Sequence, residues 1–241
     1  MKPKMLDALK LEPAEKLTVL IGLFIASLVA ANLLGNKISV LAGISVSVGI
    51  FAYPITFLIA NIFGEVDGPR IPRMLVVSGI VSIIAVLVLT SVSIALPPAA
   101  RFTYNDAYVQ VFSSTRRIMV GSLVAFAFAQ MLNIRLFDAL KGRLSGKHAW
   151  LRYNAAVTTS QFFDTAVFYF IAFYKLTPTF TGPFVISLIF PYWFMKCAFS
   201  LLSTPVFYGG VKWFKKGAKP GLPPMAIPVS APQPAAHRKK R

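Results

Sequence analysis

Apolar residues run along this chain in long blocks separated by turn-forming or charged breaks. A bilayer core about 30 Å thick needs about 20 helical residues. Blocks close to that length occupy residues 17–35, 38–63, 74–96, 118–137, 153–174 and 183–208, each ending near Pro, Gly or a basic group. They predict an all-α, polytopic membrane bundle of six transmembrane helices. The second block contains Gly43, Gly49 and Pro54 and is expected to be broken or partly re-entrant. Such a break is tolerated only where the freed backbone groups face protein or a polar cavity. The first block has the basic and small flanking residues of a signal peptide, but it is long and opens a multi-span chain, so retention is expected.

Composition carries the reading from helices to solvent. Of 241 residues, 56% are hydrophobic and only 14% charged, against roughly 45–50% apolar for a soluble domain. The net charge of +17 comes from short basic clusters between apolar blocks, with no basic face and no nucleic-acid module, so it reads as topology. With six spans, one side collects Lys2, Lys4, Lys10 and Lys16, then Arg70 and Arg73, then Lys141, Arg143, Lys147 and Arg152, then the C-terminal tail. The other side collects Lys37, Arg101, Arg116, Arg117 and Lys175. The imbalance predicts that both termini are cytoplasmic.

The chain therefore divides into a tail at 1–16, a membrane domain at 17–210 and a basic, Pro-rich tail at 211–241, expected to be disordered. The terminal RKKR is expected to be a solvated topogenic tail, with binding to anionic membrane lipid, at about 1 kcal/mol per basic residue, as the competing reading. A lone cysteine, Cys197, lies in an apolar block, while His148 and His237 lie in a loop and a tail. No disulfide framework, metal set, activated Cys or His, or GxSxG elbow can be assembled, so neither an enzyme nor a cofactor is expected.

Inside the blocks, polar residues recur at helical spacing. The stretch TSQFFDTAVFYF places Asp164 about halfway along the fifth block, where a charge costs about 2.5 to 3.5 kcal/mol on insertion scales and must face the bundle or a wet cavity. Gln161, Asn154, Thr158 and Phe168 continue its face. The fourth block carries Gln130 and Asn133 with Phe126 and Phe137, the second carries Asn61 and Glu65, and the sixth carries Lys196 with Trp193, Ser200 and Ser203. Two readings compete. Asp164 and Lys196 can form a structural ion pair with the amides as interhelical glue, or the ensemble can line a ligand cavity, which better explains amides, aromatics and opposite charges gathered at similar depths. Glu65 and Asp67 sit near a membrane boundary beside Arg70 and Arg73, and for Asp67 anchoring of a helix end is the expectation.

The segments PITFLIANIFGEVDG, SSTRRIMVGSLVAFAFAQMLNIRLFDALK, GKHAWLRYNAAVTTSQFFDTAVFYFIAFY and FMKCAFSLLSTPVFY carry a resemblance to the queuosine precursor transporter family of six-span bacterial inner-membrane proteins. It covers about residues 30–210. The most specific part is the ordered array Gln130, Asn133, Arg152, Asn154, Gln161, Asp164, Lys196, Thr204 and Pro205. The chain departs from the family pattern at Asn61 and Ser203, where acids are usual, and at Asp67, where an aromatic is usual. The resemblance implies a purine-like small molecule as cargo, 7-cyano- or 7-aminomethyl-7-deazaguanine; import by secondary transport is the first functional expectation, with proton coupling or an energising partner left open.

Residue chemistry suits such a ligand. A guanine-like edge presents adjacent N–H donors and a carbonyl, so Asp164 can accept while Gln161 or Lys196 donates. Phe162, Phe168 and Trp193 are candidates for stacking, worth roughly 1 to 3 kcal/mol. The binding residues expected are thus Asp164, Gln161, Lys196, Gln130, Asn133, Asn61, Glu65, Trp193 and Phe168. Two other classes stay open: a substrate-binding subunit of an energised vitamin-uptake complex, docked through the small face of Ala26 and Ala30, and a structural membrane protein.

Overall fold

The computed structural model describes residues 11–216 except 36, 42, 114, 145–147, 176, 177 and 179. The expectations for the first ten residues and for the tail from 217 onward, RKKR included, lie outside the described residues. Helix α1, Pro13–Leu34, begins at a reciprocal cap in which the Glu12 backbone N–H donates to Glu15 Oε2 at 2.7 Å. An antiparallel hairpin follows, β1 Ile38–Leu41 and β2 Ile44–Ser47, with Ile38 opposite Ser47 and Leu41 opposite Ile44. One turn of 3-10 helix, Val48–Phe51, leads into α2, Tyr53–Asp67. Helices α3, Arg70–Ala95, α4, Asn105–Ser113, α5, Thr115–Arg143, α6, Ala149–Phe173, and α7, Gly182–Lys215, complete the chain.

Five helical stretches among the described residues are long and apolar enough to cross a membrane: Pro13–Leu34, Val48–Asp67, Arg70–Ala95, Asn105–Arg143 and Gly182–Lys215. Helix α6 matches them in length but is more polar, because Asn154, Ser160, Gln161, Asp164 and Thr165 are turned inward and buried. The outer surface is apolar instead, with Val77, Val81, Leu89, Phe194, Leu201 and Leu202 exposed. An apolar surface of that kind is what lipid requires and water does not tolerate. The core joins Phe24 and Leu28 of α1, Phe57 and Phe63 of α2, Phe126 of α5 and Phe207 of α7.

The break expected in the second block is real, and it takes the form of a short hairpin in a predominantly helical fold, so the second span begins later than residue 38. Ile38, Val40, Ile44 and Val46 alternate with small residues, which favours a strand, and Gly43 has φ of 78°, open to glycine without the Cβ penalty of other residues. Ser47 Oγ donates to the Gly35 carbonyl at 2.8 Å and the Val48 N–H donates to the Lys37 carbonyl at 2.9 Å. These bonds fasten the base of the hairpin to the end of α1.

Both ends of the bundle can be recognised. Lys16, near the start of α1, sends its ammonium to the carbonyls of Trp213 and Lys216 at the end of α7, so these two helix ends meet. The hairpin lies at the opposite end, where α1 and α6 finish and α2, α5 and α7 begin.

Candidate functional site

At the hairpin end the helices enclose a partly open cavity of about 550 Å³, its mouth included, lined from α1, the hairpin base, α2, α5, α6 and α7. Among the described residues that line it, Asp164 is the only carboxylate and Lys196 the only ammonium. The two groups meet: Lys196 Nζ donates to Asp164 Oδ2 at 2.7 Å, and both side chains are almost fully buried. Tyr53 donates its hydroxyl to Asp164 Oδ1 at 2.6 Å. The ammonium also sits 5.1 Å from the ring centroids of Tyr53 and of Tyr192, within cation–π range of both.

The sequence accounts for these positions. Asp164 and Phe168 are one turn apart on α6, Tyr192 and Lys196 one turn apart on α7, and each pair therefore shares a face. Pro54 opens α2 at a position where its missing N–H costs nothing, and this sets Tyr53 at the cavity rim of that helix. Chemically, a carboxylate has about four acceptor positions and an ammonium three donors. One protein donor on each Asp164 oxygen leaves acceptor capacity, and one bond from Lys196 leaves donor capacity. The opposite charges cancel, so the cavity presents directed hydrogen bonding with little net charge.

The remaining expected residues go elsewhere. Gln161, Gln130, Asn133 and Asn61 lie one step deeper and are fully or almost fully buried. Asn133 Nδ2 donates to Asn61 Oδ1 at 3.0 Å, and Gln130 Nε2 donates to Thr56 Oγ1 at 3.2 Å. Trp193 does not line the cavity; its indole N–H donates to the Thr158 carbonyl at 2.9 Å and its ring packs on Phe162. Glu65 lies deeper again. It accepts from Arg152 Nη2 at 2.7 Å, while Lys141 donates to the Gly64 and Glu65 carbonyls. This revises the sequence reading of Arg152, which groups it with a basic cluster between blocks: it lies in α6 as a fully buried partner of Glu65.

Ser203 and Thr204 serve as local fasteners, bonded to Tyr153 and Asn154 respectively. Sequence reasoning missed Tyr53, Tyr192, Asn32 and Ser47, all of which line the cavity. Tyr192 carried a usable signal, being four residues before Lys196. Tyr53, Asn32 and Ser47 carried none, since three separate elements bring them together.

Comparison with known proteins agrees with this architecture. Residues 47–210 match the family described as "Putative vitamin uptake transporter". The chain is 28% identical over 195 residues, 79% of its length and 84% of the other, to a Bacillus subtilis (strain 168) protein named "Probable queuosine precursor transporter". No solved structure matches it. The matched region runs from the hairpin base through the cavity-lining parts of α2, α5, α6 and α7, and on that ground the chain is a multi-pass membrane transport protein that belongs to the vitamin uptake transporter family.

Proposed function

We propose that this chain imports a queuosine precursor, 7-cyano- or 7-aminomethyl-7-deazaguanine, or a related purine-like base, across a bacterial inner membrane by secondary transport. The observation that carries the reading is the self-neutralised Asp164–Lys196 pair in an aromatic-rimmed cavity, in a chain whose relative bears a matching name. The base's adjacent N–H donors engage the free acceptor capacity of Asp164, and Lys196 donates to its carbonyl. Tyr53, Tyr192 and Phe168 supply aromatic surface for the flat ring. Because the site's charges already cancel, the neutral cyano base fits better than the cationic aminomethyl base, which would meet Lys196 with no second carboxylate among the lining residues.

In this reading α6 is a sixth span despite its polar face, and both termini are cytoplasmic. The meeting of Lys16 with the end of α7 supports an even number of crossings. Uptake of radiolabelled 7-cyano-7-deazaguanine into cells that cannot synthesise it, with and without this chain, tests the function. Chain-dependent accumulation, competed more strongly by unlabelled cyano than by aminomethyl base, is expected. Failure to accumulate either base would overturn the assignment, and activity only with a copurifying ATPase would replace secondary transport by an energised complex.

A further inference from the structure

Below the cavity, the bundle holds a layer of neutral polar side chains whose hydrogen bonding is incomplete. Gln161 has neither Oε1 nor Nε2 partnered among the described residues, and Gln130 Oε1, Asn133 Oδ1, Asn61 Nδ2 and Ser160 Oγ are likewise unpartnered. All five side chains are fully or almost fully buried. Native interiors rarely leave such groups unsatisfied, because desolvation is not recovered.

These groups lie at one level. Helices α5 and α6 run antiparallel with Gly121 against Ala172 and with the rings of Phe128 and Phe163 6.1 Å apart. Continuing that register brings Gln130 and Asn133 level with Gln161 and Ser160. Asn61 joins them through its bond from Asn133. Gln161 is three residues from Asp164, so the layer begins about one helical turn, roughly 5 Å, beyond the cavity's ion pair.

The inventory of unpartnered atoms is specific. It offers carboxamide and hydroxyl donors and acceptors and no charge, and Gln161 presents its donor and its acceptor side by side. A carboxamide with both ends available pairs in a two-point fashion with a neutral edge carrying N–H next to C=O. Interhelical glue accounts for Asn133 with Asn61 but leaves Gln161 unexplained, since its side chain bonds to no neighbouring helix.

We infer that this layer is a second ligand station, which takes the neutral lactam edge of a planar base after the base leaves the Asp164–Lys196 cavity. This rests on the transport reading and adds an order of events to it: recognition at the ion pair, then transfer by one turn along α6 to Gln161. Within the layer, the Asn133–Asn61 bond ties α5 to α2.

The test uses the full-length chain and its Gln161→Met variant, which keeps side-chain length and removes both polar atoms. Equilibrium binding of radiolabelled 7-cyano-7-deazaguanine is measured on detergent-purified protein, uptake in reconstituted liposomes, and thermal unfolding on both proteins. The expected result is affinity retained within about threefold, uptake lowered at least about tenfold, and unchanged or higher thermal stability, because an unsatisfied buried amide is removed. Unaltered uptake would refute the station. So would a fall in stability accompanied by parallel losses of binding and uptake, which would mark Gln161 as packing glue. If the unsubstituted chain neither binds nor transports the base, the transport reading fails and the second station with it. If it transports normally and Gln161→Met does too, only the station fails.

Discussion

At the scale of residues, the central fact is that Asp164 is both paired and exposed to a cavity. A buried ion pair is often neutral for stability, yet removing one partner costs about 3 to 5 kcal/mol because the other charge is left uncompensated. Lys196, held against Asp164 and two tyrosine rings, would be such a charge. Asp164→Asn keeps the shape but replaces one acceptor oxygen with a donor. Binding of the base is expected to fall by about 2 to 3 kcal/mol, tens- to a hundredfold, as polar groups lose their partners. Adding Lys196→Met should restore any lost folded yield while leaving uptake abolished. Measuring membrane-inserted protein and uptake for both single variants and the double variant checks this, and full uptake by the double variant would reduce the pair to a structural role.

At the scale of elements, the hairpin and the 3-10 turn form one wall of the cavity, and their fit against α1 is close. A Cβ on Gly49 would lie 2.5 Å from the Ala31 carbonyl oxygen, a backbone atom that cannot swing aside, whereas one on Gly22 meets nothing within 4 Å. Gly49→Ala must therefore part the hairpin base from α1, beside Ser47 and Asn32 of the cavity wall. Uptake should fall by about tenfold or more, in line with the roughly 1 to 3 kcal/mol cost of overpacking, while Gly22→Ala stays within about twofold. Parallel uptake assays at matched expression distinguish the two. Helix α7 adds a different feature: Pro191 and Pro205 lie inside it, each removing a ladder hydrogen bond, one just before Tyr192 and the other just after Thr204.

For the whole molecule, polarity varies along the bundle axis. The ion-pair cavity lies at the hairpin end, the amide layer follows, and the Glu65–Arg152 pair with Lys141 lies at the other end. The predicted orientation puts that last cluster on the cytoplasmic side. Reporters fused after Lys216 and between residues 142 and 148 should remain cytoplasmic, and one placed near Asn105 should be exported. An exported C-terminal reporter would contradict six spans. Tyr108, on α4, donates its hydroxyl to Ser93 Oγ at 2.9 Å and sets its ring edge-on to Phe102 and tilted against Phe112, which fastens the short helix to the end of α3 at the predicted outer face.

Block length and composition alone determined the solvent, the helical class and the approximate limits of most spans, because burial in lipid imposes a long apolar run that no tertiary contact has to supply. Helical spacing likewise put Asp164 with Phe168, and Gln130 with Asn133, on common faces, since those relations are local. The tertiary structure decided what lay between elements. It chose a hairpin where the second block was expected to begin as a span, because strand pairing and the bonds to the end of α1 satisfy backbone groups there. It gave Glu65 to Arg152, 87 positions away, and joined Tyr53 to Asp164 across 111. Contacts over such separations depend on which helix faces meet. That choice is made by the packing of Phe24, Phe57, Phe126 and Phe207 into one core, and no single segment's periodicity encodes it.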